Sequence, residues 1–196
     1  MAYPTISAPY GLKPINLIGG QVFAGATRQL VIASAYGTSI FYGDVVKVVA
    51  GGTIEKDTGT TTATPVGVFL GCSYVNAQGQ VIFSQYYPAN TTGVVQAFVI
   101  DDDRTVFQAQ SAGSVTQAAL GANLYLNAAQ STSTGSTTTG NSTSALVAGS
   151  SAQTAAAAFR VVGFVNSTTS QVGDDYTDVL IKFNPGFHSY TVALGI

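Results

Sequence analysis

Apolar positions in this chain come in short runs set apart by Gly, Asn, Asp and Thr, and the clearest succession lies between Gly43 and Pro88. Val45, Val46, Val48 and Val49 surround a single Lys47, which predicts a strand over residues 44–50 buried on both faces; Gly51-Gly52 then turns the chain into a short strand over 53–56. The run Val66-Gly67-Val68-Phe69-Leu70-Gly71-Cys72 is too short and too glycine-rich for a helix. It predicts another strand, which Asn76-Ala77-Gln78-Gly79 turns into one over 80–87. There Val81, Phe83 and Gln85 alternate with Ile82, Ser84 and Tyr86, the period of two of a half-buried strand. Further strands are predicted at 21–24, 28–33, 94–100, 105–110, 123–127, 144–148, 158–166 and 178–184. Asp101-Asp102-Asp103-Arg104 reads as the tip of a hairpin joining 94–100 to 105–110. Residues 114–121 fit one short helical turn stopped by Gly121, and 150–158 a turn or a single turn of helix.

These elements predict an all-β protein, a β-sandwich or barrel-like domain over residues 20–196 preceded by an extended N-terminal arm over 1–19. In the arm Pro4, Pro9 and Pro14 recur every five residues and exclude a helix. Its apolar side chains distinguish it from a disordered tail. Tyr3, Pro4, Ile6, Pro9, Tyr10, Leu12 and Pro14 are therefore candidate partner-binding residues. Such a segment either lies across a neighbouring protein or covers an edge of its own sheet.

Residues 131–144, STSTGSTTTGNSTS, hold only Ser, Thr, Gly and Asn, which predicts a solvated loop or hairpin tip remote from the oligomer contacts. A faint echo runs through the chain. Residues 43–48 (GDVVKV) resemble 121–126 (GANLYL), and 66–69 (VGVF) resemble 162–165 (VGFV), at offsets of 78 and 96 residues. Unequal offsets exclude a regular repeat. Either two parts of a barrel are built alike, with Gly67 and Gly163 at bends, or a Val/Gly-rich sequence repeats itself by chance.

Composition narrows the partners. Charged residues make up 8% of the chain, against roughly 25% in an ordinary soluble domain. Hydroxyls and backbone must therefore carry solubility, and such a surface is readily buried against another protein. A net charge of -2, with no Lys/Arg cluster, supplies no field for a phosphate backbone, so no nucleic-acid partner is expected. No membrane partner is expected either, because no run approaches 18 apolar residues. Met1-Ala2-Tyr3-Pro4 offers no basic leader or apolar core of an export signal. Cys72, the single cysteine, reads as a small core residue.

Catalytic readings find little support. His188 is the only histidine, and no serine sits in a nucleophile elbow, so no catalytic residue is assigned. Three adjacent carboxylates at 101–103 point to alternate sides and lack the later Glu of a calcium loop; neither a metal site nor a cofactor is expected. The triplets at Asn90, Asn141 and Asn166 match the glycosylation pattern but reflect Ser/Thr abundance.

The succession GDVVKVVAGGTIE, PVGVFLGCSYVNAQGQVIFSQYYPA, VVQAFVIDDDRTVFQAQ, AFRVVGFVN and DVLIKFNPGFH resembles structural proteins of tailed bacteriophages and prophages, and within them capsid decoration, or cement, proteins. The likeness covers about three-quarters of the chain and does not include 131–144. It implies a virion protein on the capsid exterior, assembled in the bacterial cytoplasm, that binds the major capsid protein and itself, commonly as a homotrimer. A tail or fibre protein is the alternative that shares this composition; a bacterial surface adhesin is a third, against which the missing export signal counts.

Overall fold

A computed structural model describes residues 6–59, 62–126, 135–148 and 157–192. The chain is all-β, with strands β1 (Lys13–Leu17), β2 (Arg28–Ile32), β3 (Val45–Val48), β4 (Ile54–Lys56), β5 (Gly67–Val75), β6 (Val81–Ser84), β7 (Val95–Ile100), β8 (Thr105–Gln110), β9 (Asn123–Leu124), β10 (Phe159–Phe164) and β11 (Asp178–Phe183). The helical turn expected at 114–121 shrinks to a 3-10 turn, Gln117–Ala119, and Gly121 follows it with φ of +80°. Residues 150–156 of the other expected turn lie outside the described residues.

Two sheets pack together in a sandwich-like arrangement. One runs β3-β4-β2-β7-β5-β6, and a further pairing of β3 with β5 closes its first five strands into a ring. The other runs β1-β8-β11-β10-β9. Leu146 closes it as well, bridging Ser111 in parallel and Leu126 antiparallel. Ile54 does the same in the first ring, meeting Ile32 in parallel and Val48 antiparallel.

The two rings are built alike down to register. Gly43 donates to the Phe69 carbonyl and Phe69 to that of Asp44; Gly121 donates to Val161 and Val161 to Ala122. Phe69 lies opposite Val99 with a bulge before Gly71, and Val161 opposite Ile181 with a bulge before Gly163. The echo at offset 78, from 43 to 121, is therefore structural. Its second half is misaligned in the sequence: the true partner of Phe69-Leu70-Gly71 is Val161-Val162-Gly163, at 92 residues rather than 96. Gly67 does mark a close approach, since a Cβ there would stand 2.2 Å from the Ile100 carbonyl oxygen.

Matching positions fill matching cores. Val46, Val48, Ile54, Phe69, Ala97 and Val99 pack inside the first ring, and their counterparts Leu124, Leu126, Leu146, Val161, Val179 and Ile181 inside the second. The outward faces differ. Val45, Val68 and Ile100 point out of the first ring and join the second ring's core cluster. Their counterparts in the second ring are Asn123, Arg160 and Lys182, with Arg160 Nε donating to Asn123 Oδ1 at 3.0 Å. One interface between rings thus exists.

Asp101–Arg104 is not a hairpin tip. Both edges of β7 are taken, by β2 and β5, so β8 has none to join and pairs instead with β1 and β11 in the other sheet. The acidic turn is the crossing between sheets, held by Arg28 on Asp101 at 2.5 Å and by the Arg104 amide on Asp102.

Candidate interaction surface

The arm residues divide between core, sheet and surface. Leu12 is fully buried in the second ring's core, and Pro14 lies in β1 opposite Phe107, so these two serve the chain's own fold. Pro14 is tolerated because β1 is an edge strand. The arm's second half thus covers its own sheet edge. Tyr10 is half-buried and donates to Asp178 at 3.0 Å; burial first, then the Asp178 carboxylate, push its phenol well above the ordinary value. Ile6 is exposed and Pro9 half-buried, while Tyr3 and Pro4 lie outside the described residues.

A surface that sequence reading did not single out lies on the outside of β2, β7, β5 and β6. Phe83 is 75% exposed, and Val81, Val94 and Val75 are all more than half exposed. Register places them together: Val75 pairs with Val81, Ser73 with Phe83 and Gln96, and Gly71 with Phe98. The Phe83 and Phe98 rings stack at 6.4 Å. Between them Gly71, at φ +143°, leaves a shallow depression of about 450 Å³. None of these residues is charged, and β6, an edge strand, lacks the lysines or prolines that blunt such edges. The signal was present in 80–87, where both alternating sets carry large apolar residues.

A second depression, of about 350 Å³, is lined by Tyr10, Lys13, Tyr42, Gln108 and Asn141. It is polar and aromatic together. Asn141 accepts from Gln85 Nε2 at 2.6 Å, which joins the two depressions.

The Ser/Thr tract is only partly a surface loop. Residues 131–134 lie outside the described residues, but Ser142 and Ser144 are buried, and both hydroxyls donate to Asp44 Oδ1, at 2.6 and 3.2 Å. Asp44 also takes the Lys56 ammonium at 2.9 Å and the Phe41 amide at 2.8 Å. Burial raises its carboxyl above the usual range, opposed chiefly by Lys56. The expectation of a solvated tract is thus corrected at its end: Ser142 and Ser144 complete a buried polar cluster, which short hydroxyls can do without charge of their own.

His188 is buried against Phe183, ring centroids 5.1 Å apart. Its Nδ1 accepts from the Tyr190 amide at 3.4 Å, while Nε2 has no well-formed partner. Burial lowers its pKa, against the pull of the Asp103 and Asp101 carboxylates. Cys72 is a free, buried thiol whose pKa burial pushes up to about 12. Among the described residues no group of His, Cys, Asp or Glu could hold a metal ion. No helix of the described chain is long and apolar enough to cross a membrane. No protein-family model matches the chain, and comparison with curated proteins and with solved structures finds no match.

Proposed function

We propose that this chain is a structural virion protein: a capsid decoration protein that binds the outer surface of a phage head, braces the major capsid protein lattice and associates with itself as a homotrimer. The observation that carries the reading is the uncharged apolar face around Phe83 and Phe98 beside an unguarded edge strand. An exposed apolar patch of this kind is a protein-contact surface. The sequence resemblance supplies the identity of the partner; the face supplies the means. Burying Phe83 alone would contribute about 2 kcal/mol. Phe83→Ser is therefore expected to weaken binding to undecorated heads about 30-fold while leaving the far-UV spectrum unchanged. Undiminished binding by this variant would sink the reading.

A phage tail or fibre protein that binds saccharide is the second reading. The depression lined by Tyr10, Tyr42, Lys13, Gln108 and Asn141 favours it, because sugars stack on aromatic rings and hydrogen-bond to amides. A glycan array would separate the two: saturable binding lost in Tyr42→Ala supports the fibre reading.

A further inference from the structure

The chain covers one edge of its second ring and leaves the matching edge of its first ring bare. Against β8, Lys13 pairs with Gln108, Pro14 with Phe107, Asn16 with Val106 and Leu17 with Thr105. Under that cover Thr105, Val106 and Phe107 are 0%, 4% and 0% exposed. Arg28 faces Val99 as Phe107 faces Ile181, so the counterparts of residues 105–108 are Ala26, Thr27, Arg28 and Gln29. All four are exposed, and β4 reaches β2 only at Ile32.

The bare edge also has its polar groups aimed outward. In the second ring the Ser111 amide bonds to the Thr177 carbonyl, so alternate residues Ala109 and Phe107 face β11, while the backbone groups of Gln108 and Val106 face β1. The shared register turns those of Gln29 and Thr27 toward the open side of β2.

We infer that this edge is a strand acceptor and that its occupant is the N-terminal segment, residues 1–9, of a second copy of this chain. The covered edge is the template: it takes an extended, proline-bearing strand from the same end of the chain. Tyr3-Pro4 stands ten residues ahead of Lys13-Pro14, and no charged side chain precedes Lys13, so the donor segment brings no ionic side chain to the edge. Ile6 is 65% exposed, and its carbonyl and the Ala8 amide are held by the Gln110 side chain at 3.2 and 2.9 Å, which presents an extended segment. Main-chain bonds give such an added strand its affinity. Because donor segment and acceptor edge are different surfaces, the contact is head-to-tail, the kind that makes a trimer when the rotation between copies is three-fold. The inference deepens the self-association in the proposed function.

By the template, Pro4 lies opposite Arg28 and Ile6 opposite Thr27. Chains carrying Ile6→Cys and chains carrying Thr27→Cys are mixed and mildly oxidised; Cys72, with its thiol near 12, stays out of exchange. The mixed disulfide dimer is expected at least 10-fold above dimers of the Thr27→Cys chain alone. Adding Gln29→Pro to the acceptor removes the edge amide but not the pairing of Leu30 with Ala97, and should abolish the product. A synthetic peptide of residues 1–10 should compete it away even if the proline variant folds poorly. Absence of the mixed dimer, equal cross-linking of Thr27→Cys alone, or indifference to the peptide overturns the inference. Head binding that persists without the cross-link sinks the arm contact only, and a cross-link without head binding sinks only the decoration reading.

Discussion

Asp44 shows how few charged groups this interior tolerates and how completely it pairs them. Its carboxylate has Lys56, Ser142, Ser144 and the Phe41 amide as partners, with both ionic side chains fully buried. Removing one member leaves the other charge uncompensated, at a cost of about 3–5 kcal/mol. Lys56→Met should lower stability by that amount in urea melts, and Ser142→Ala by about 1–3 kcal/mol. Gly67→Ala is expected to be comparably damaging, since the new methyl would meet backbone at Ile100 that cannot rotate away. His188 sets a pH dependence. Its folded pKa lies below the unfolded value of about 6.5, so the unfolded chain takes the proton first. The stability conferred by the neutral ring is complete above pH about 6.5 and is lost as pH falls from there toward the lowered folded value. The thermal midpoint should drop across that window in the native chain and stay flatter in His188→Gln. Equal slopes for the two proteins would refute the assignment.

Elements were legible in the sequence where alternation and turn residues acted locally, and illegible where pairing was decided at long range. Residues 105–110 are delimited to the residue, because TVFQAQ lies between an acidic turn and a small-residue loop. Their partner is not legible locally, since nothing in the stretch records that β2 and β5 already occupy both edges of β7. The prolines around β1 exclude a helix but leave both a docking arm and an edge strand open; β1 takes the second course, since an edge tolerates a proline. The exposed face around Phe83 was visible only as an alternation without a polar side. The Ser/Thr tract was the deepest omission: hydroxyl residues look solvent-bound until a buried carboxylate is found to need donors. It occupies the place held in the first ring by the short Gly51-Gly52 turn, between the counterparts of β3 and β4. Replacing residues 136–144 by a short Gly-Ser turn should therefore cost stability and soluble yield, through loss of the Ser142 and Ser144 bonds to Asp44. Unchanged urea midpoints would show those bonds to be dispensable.

At the scale of the whole molecule, two similar rings share one core boundary. Val45, Val68 and Ile100 belong to the first ring by sequence and to the second ring's core by packing. The rings should accordingly unfold together, in one transition by calorimetry and by tyrosine fluorescence; two resolved transitions would contradict this coupling. The same positions in the second ring carry Asn123, Arg160 and Lys182, the last half-exposed, with Arg160 bonded to Asn123 and Asn184. A stacking unit whose top and bottom were both apolar would recruit another unit, and that one a third, without limit. Here the sequence ends the stack after one step, so the polar trio acts as a terminator. Growth by ring-on-ring stacking into filaments is thereby closed off.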